Sequence, residues 1–169
     1  MIAELATKFL EIFKEEEVAT MDVKQTLSYG LGIFAMHLPS QTFAGLAPRV
    51  VEALSSMIQA PDAFSEDNVV ATESALGGFG RVIFFQRQAV PDSAVNAFLE
   101  KLPLTHEEEE AQKSHKLFLE QVIAGNPSIM GDATKAKALE ACLRIKQAAE
   151  DQGQGDKLKI LCKEGLKLL

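Results

Sequence analysis

The chain says nearly the same thing twice. Asp22-Val-Lys-Gln-Thr-Leu-Ser-Tyr-Gly-Leu-Gly-Ile-Phe34 returns as Asp67-Asn-Val-Val-Ala-Thr-Glu-Ser-Ala-Leu-Gly-Gly-Phe79. The offset of 45 positions, from Asp22 to Asp67, also places Leu31 on Leu76, Gly32 on Gly77, Phe34 on Phe79 and Leu38 on Ile83. Gly30 falls on the small residue Ala75. A period of this size belongs to a unit of two antiparallel helices. One helix pair cannot bury its apolar face alone, so such units stack. The expected fold is all-α, an α-α superhelix, and 169 residues accommodate about four antiparallel pairs.

Eight helices follow from apolar residues recurring at spacings of three and four. The first is expected over 2–16, with Ile2, Leu5, Ala6, Phe9, Ile12 and Phe13 on one stripe. The second covers 22–38 and stops at Pro39. The third covers 41–59, with a kink or late start at Pro48. The fourth begins at Ser65 as N-cap and runs to 87. The fifth covers 92–102, and the sixth covers 106–125, closed by Gly125-Asn126-Pro127. The seventh covers 132–150, capped by Asp132, with Ala136, Leu139, Leu143 and Ile145 as its apolar marks. A polar loop, Asp151 to Asp156, leads to the eighth over 156–169. The pairs are then about 1–39, 40–90, 91–126 and 127–169, one continuous segment over 1–169. The first residues already lie inside a helical pattern, as expected of a piece of a longer protein.

Hydrophobic residues make up 47% and charged residues 24%, an ordinary balance for a folded domain. The formal net charge is −7. Such a surface repels phosphate backbones and attracts basic polypeptides, so nucleic-acid binding is not expected. No apolar stretch reaches the length of a membrane span, and no membrane partner is expected. Cys142 and Cys162 both sit inside apolar helical patterns and read as buried, reduced thiols.

Gly77-Gly78-Phe79-Gly80-Arg81 has the look of a phosphate loop. Such a loop needs a strand before it and a helix start after it. Here a helical run surrounds the glycines, so the expectation is close helix packing at Gly32 and Gly77. Glu107 to Glu110 read either as solvated complements to a helix start or as part of a docking face for a basic segment. His37, His106 and His115 lack a second ligand at metal spacing, so no metal, cofactor or catalytic residue is assigned.

Asp22-Val-Lys-Gln followed by Tyr29-Gly-Leu-Gly resembles the second helix of a HEAT repeat, with Lys24 where Arg is usual. Glu66-Asp-Asn-Val-Val-Ala-Thr-Glu73, Leu102-Pro-Leu104 before the acidic run, and Asn126-Pro-Ser-Ile-Met-Gly131 resemble the C-terminal HEAT repeats of importin-beta-type receptors (beta-karyopherins), most of all the importin-five branch. The resemblance covers most of 2–135 in order. It implies a nuclear import receptor of cytoplasm and nucleus. Such a receptor carries cargo proteins through the nuclear pore and is emptied by the GTPase Ran. It also implies that Ran contacts lie in N-terminal repeats outside this sequence, and that nucleoporins are possible partners.

The resulting expectation is a non-catalytic protein-binding scaffold for basic cargo or import signals. The second helix of a HEAT pair lines the concave side. Gln25, Tyr29 and Met36, with their equivalents Val70, Ser74 and Arg81, are the candidate contact residues. A HEAT scaffold of another assembly, such as a phosphatase regulatory subunit, is the alternative. A small helical enzyme is a distant one, to be recognised by a pocket with perturbed titratable groups.

Overall fold

A computed structural model describes residues 2–151 and 156–168. Among them every regular element is helical: ten α-helices, one 3-10 turn and no strand, so the fold is all-α. They divide into two compact units, Met1–Val90 and Pro91–Leu169.

The first unit holds α1 (Ile2–Lys14), α2 (Met21–His37), α3 (Ser40–Ala44), α4 (Ala47–Ile58) and α5 (Val69–Phe85). The Thr20 hydroxyl accepts the Val23 N–H and caps α2. Leu38 is extended and Pro39 follows, so α2 ends where the sequence predicts. Phe13 lies beneath Lys24, whereas Phe9 meets Gly30 and Phe34, so α1 and α2 run antiparallel. Leu54 lies against Gly78, and Ala47 and Val51 lie near Phe85, so α4 and α5 run antiparallel too. Contacts between α2 and α5 advance together, from Ser28–Gly78 to Gly32–Arg81 and then Ala35–Gln86. The second helices of the two pairs are therefore parallel neighbours.

At Pro48 the expected late start is found, whereas two boundaries in this unit and the next differ from expectation. The third helix is two pieces, α3 and α4, broken at Gly45-Leu46. Pro48, which has no N–H to give, sits in the first turn of α4. Ser65 is not an N-cap, because α5 starts four residues later at Val69. Residues 61–68 are held in turns instead. Asn68 Nδ2 donates to Asp62 Oδ2 at 3.0 Å, and the Thr72 hydroxyl donates to Ala63 O at 2.6 Å. Such local side-chain bonds compete with helix formation. Asp132 likewise caps nothing: a short α8 (Pro127–Met130) intervenes, and α9 starts at Lys135.

The second unit holds α6 (Asp92–Lys101), α7 (Glu108–Ile123), α8, α9 (Lys135–Asp151) and α10 (Asp156–Leu166). Glu107 accepts the Glu110 N–H and starts α7 with three acidic residues in its first turn. Gly125 ends it at φ +68°, a left-handed conformation that favours glycine. Gly125 N–H bonds Val122 O at 3.0 Å and Asn126 N–H bonds Gln121 O at 3.0 Å, which closes a Schellman cap. Asn96 reaches Ala133 O, Glu100 pairs with Lys137, and Leu102 O accepts from Arg144, so α6 and α9 are parallel. Gly165 of α10 packs between Val122, Leu119 and Cys142. Most of the expected polar loop between α9 and α10 lies outside the described residues.

Candidate functional site

The register of α2 on α5 is set by glycines. A Cβ on Gly32 would lie 2.7 Å from Gly78 Cα, and one on Gly78 would lie 2.5 Å from Ser28 O. Both neighbours are backbone and cannot step aside. The absent side chains therefore let the two helix backbones touch. The glycine that meets Gly32 is Gly78, one residue beyond Gly77, which the 45-position offset points to.

This approach carries Arg81 across the pair. Its Cδ would sit 3.0 Å from a Cβ on Gly32, and its guanidinium lies 5.0 Å from the centre of the Tyr29 ring. A cation over an aromatic face at this distance is attractive. Two of the candidate residues, Tyr29 and Arg81, are thus brought together.

The others separate by exposure. Tyr29 and Val70 are exposed, and Gln25 and Met36 are partly buried. Ser74 and Arg81 are buried, so neither offers an open contact position. Every residue from Ala71 to Phe84 is buried. The helix period marks a stripe on α5 and cannot report that its other sides are covered too. Asp22 on α2, and Glu66 and Asp67 just before α5, are exposed near the start of the two helices.

The structure adds a cleft of about 580 Å³ where α3, α4 and the end of α5 meet. Phe43, Val51, Phe85 and Arg87 are among its lining residues. No spacing in the sequence marks it, because it arises from the break at Gly45 and the 3-10 turn Arg87–Ala89. Gln86 beside it is buried and donates through Nε2 to Ala35 O at 2.8 Å and Leu38 O at 3.0 Å.

Four buried titratable groups, His115, Glu110, Cys142 and Cys162, are held within the fold. His115 is buried and accepts the Leu104 N–H at Nε2, 2.9 Å away, which places its own proton on Nδ1. Glu110 is buried and accepts the Ser114 hydroxyl at 2.6 Å. Cys142 and Cys162 are free and buried. Burial pushes the Cys142 thiol up to about 12, with the neighbouring Cys162 adding to the shift. Burial also raises Cys162. Neither thiol carries the lowered pKa of a nucleophile. Among the described residues no group of three His, Cys, Asp or Glu could hold a metal ion, and no helix is long and apolar enough to cross a membrane.

No protein-family model matches the chain.

Proposed function

We propose that the chain is a non-catalytic HEAT-type scaffold, part of an importin-beta-type receptor of cytoplasm and nucleus that carries basic cargo under Ran control. Ran itself is met by repeats outside this sequence. One observation carries the reading. The second helices of two antiparallel pairs, α2 and α5, lie parallel with Gly32 against Gly78. That is the relation expected of successive repeats in a helix-pair stack. The parallel register brings Asp22 and Asp67, both exposed, to the same end of the two helices. Carboxylates attract a lysine or arginine, and the chain as a whole is at −7.

The test is titration of the protein with a lysine- and arginine-rich import-signal peptide, followed by calorimetry. Binding is expected at low salt and should weaken in Asp22→Asn/Asp67→Asn. An isotherm unchanged by that double substitution removes this surface from cargo contact. Absence of binding at low salt removes the transport reading of this segment.

A further inference from the structure

Two faces of this protein are exposed, apolar and opposite in charge. The first lies on α1. Ile2, Leu5, Phe9 and Ile12 are spaced by three and four, so they form one line along the helix. The helix packs through Ala6, Leu10 and Phe13, which are buried. Phe9 turns toward α2, against Gly30 and Phe34. Lys14 reaches Glu52 of α4 on the other flank. Ile2 and Leu5 are left 54% and 47% exposed. Glu4, Lys8, Glu11 and Glu15 run in a second line beside them. Residues 1–20 hold five glutamates against two lysines.

The second face lies on α9. One flank of that helix is engaged with α6, through Lys137–Glu100 at 2.9 Å and through Arg144 to Leu99 O and Leu102 O. Leu139 and Leu143, four residues apart, lie on another flank, with Leu143 49% exposed. Lys135 stands four residues before Leu139 and Lys146 seven after it, on the same line. Lys146 also reaches Glu150, an exposed pair that solvent screens. From 133 to 169 there are eight basic residues against five acidic ones. This end is therefore basic in a chain that is acidic as a whole.

A leucine pair framed by lysines fits a short apolar stripe bordered on one side by a mainly acidic line, and this chain carries both. We propose that α1 of one copy docks on α9 of a second copy of the same chain. In this head-to-tail contact Ile2 and Leu5 meet Leu139 and Leu143, and the α1 glutamates face Lys135 and Lys146. The two surfaces differ, so the contact is heterologous. It leaves one free face of each kind on every dimer and extends into short open chains unless the rotation happens to close. Like charges, acidic on acidic and basic on basic, disfavour the α1–α1 and α9–α9 pairings. The proposal does not depend on the transport reading and involves neither Asp22 nor Asp67.

Sedimentation velocity of the full chain at rising concentration tests it. The weight-average sedimentation coefficient is expected to climb with concentration at low salt and to climb less at 1 M salt. Leu5→Gln and Leu143→Gln should each weaken association by about tenfold or more, since each removes one buried leucine from the contact. Both sites are about half exposed, so both variants should keep the helical circular dichroism of the parent. Lys135→Glu should give a comparable loss without touching the apolar stripe. The decisive measurement is an equimolar mixture of the two leucine variants. Leu5→Gln keeps an intact α9 and Leu143→Gln keeps an intact α1, so the mixture should regain the parental affinity yet stop at dimers. A chain that stays monomeric throughout overturns the proposal. So does a mixture that fails to regain affinity, or an association that only one of the two leucine variants weakens.

Discussion

Gly78 is the residue on which the first unit's packing turns. Alanine is a better helix former than glycine by about 1 kcal/mol. A Cβ at Gly78, however, would stand 2.5 Å from Ser28 O, and relief requires moving α2 off α5. Overpacking of this kind costs about 1–3 kcal/mol, so the clash outweighs the propensity gain. Gly78→Ala is expected to lower the urea midpoint, and Gly78→Leu to lower it further. Gly45 is the contrast. It has ordinary helical angles, φ −69° and ψ −22°, and a Cβ there would meet nothing closer than Thr42 O at 3.8 Å. Gly45→Ala should therefore stabilise by about 0.4–1 kcal/mol, by restricting the unfolded chain. Cys142 supplies a pH dependence. Below its ordinary pKa of 9.0 the thiol is protonated in both the folded and the unfolded chain, so it adds no slope. Between 9.0 and about 12 the unfolded chain gives up the proton while the folded chain keeps it, so stability falls as pH rises through that window. Cys142→Ser should flatten the decline in melting temperature across the same range.

At the scale of the helix, two buried or half-buried side chains finish what the backbone leaves undone. The last carbonyls of a helix have no partner within it. Arg144 supplies one for α6: Nε donates to Leu102 O and Nη2 to Leu99 O, each at 2.7 Å. Lysine lacks this planar fork. Arg144→Lys should cost about 1–3 kcal/mol, the range for a lost hydrogen bond that leaves its partner unsatisfied. Amide exchange should locate the loss at the end of α6. Gln86 does the same for α2 through Ala35 O and Leu38 O, 51 and 48 positions away in the chain. The stop at Pro39 and the cap at Gly125 were legible beforehand because proline and glycine act locally. The late start of α5 was not, because it depends on Asn68 reaching back to Asp62 and Thr72 reaching back to Ala63.

For the whole molecule, electrostatics and shape make separable predictions. Binding of a basic peptide through Asp22 and Asp67 should fall steeply with salt, since the screening length shrinks from about 10 Å at 0.1 M to about 3 Å at 1 M. A peptide affinity that ignores salt would point to apolar contacts, with the cleft around Phe43 and Phe85 as the next place to probe.

The sequence by itself determined that the chain is helical, how many long helices it has and which side of most of them is apolar. Period and spacing are local properties, and a helix expresses them whatever it packs against. It also determined that small residues would mark a close crossing. Tertiary structure decided which ones. Gly77 and Gly78 are adjacent on α5, and only the rotation of that helix against α2 selects Gly78 as the partner of Gly32. The same rotation draws Arg81 under Tyr29 and out of the open surface. Leu143 shows the converse. Its spacing belongs to the apolar pattern of α9, yet the helix turns its flank outward, because Ala138, Ala141, Cys142, Ile145 and Ala149 already fill the side that faces the core. A stripe in a sequence says that something must cover it. Only the packed molecule says whether that cover is present.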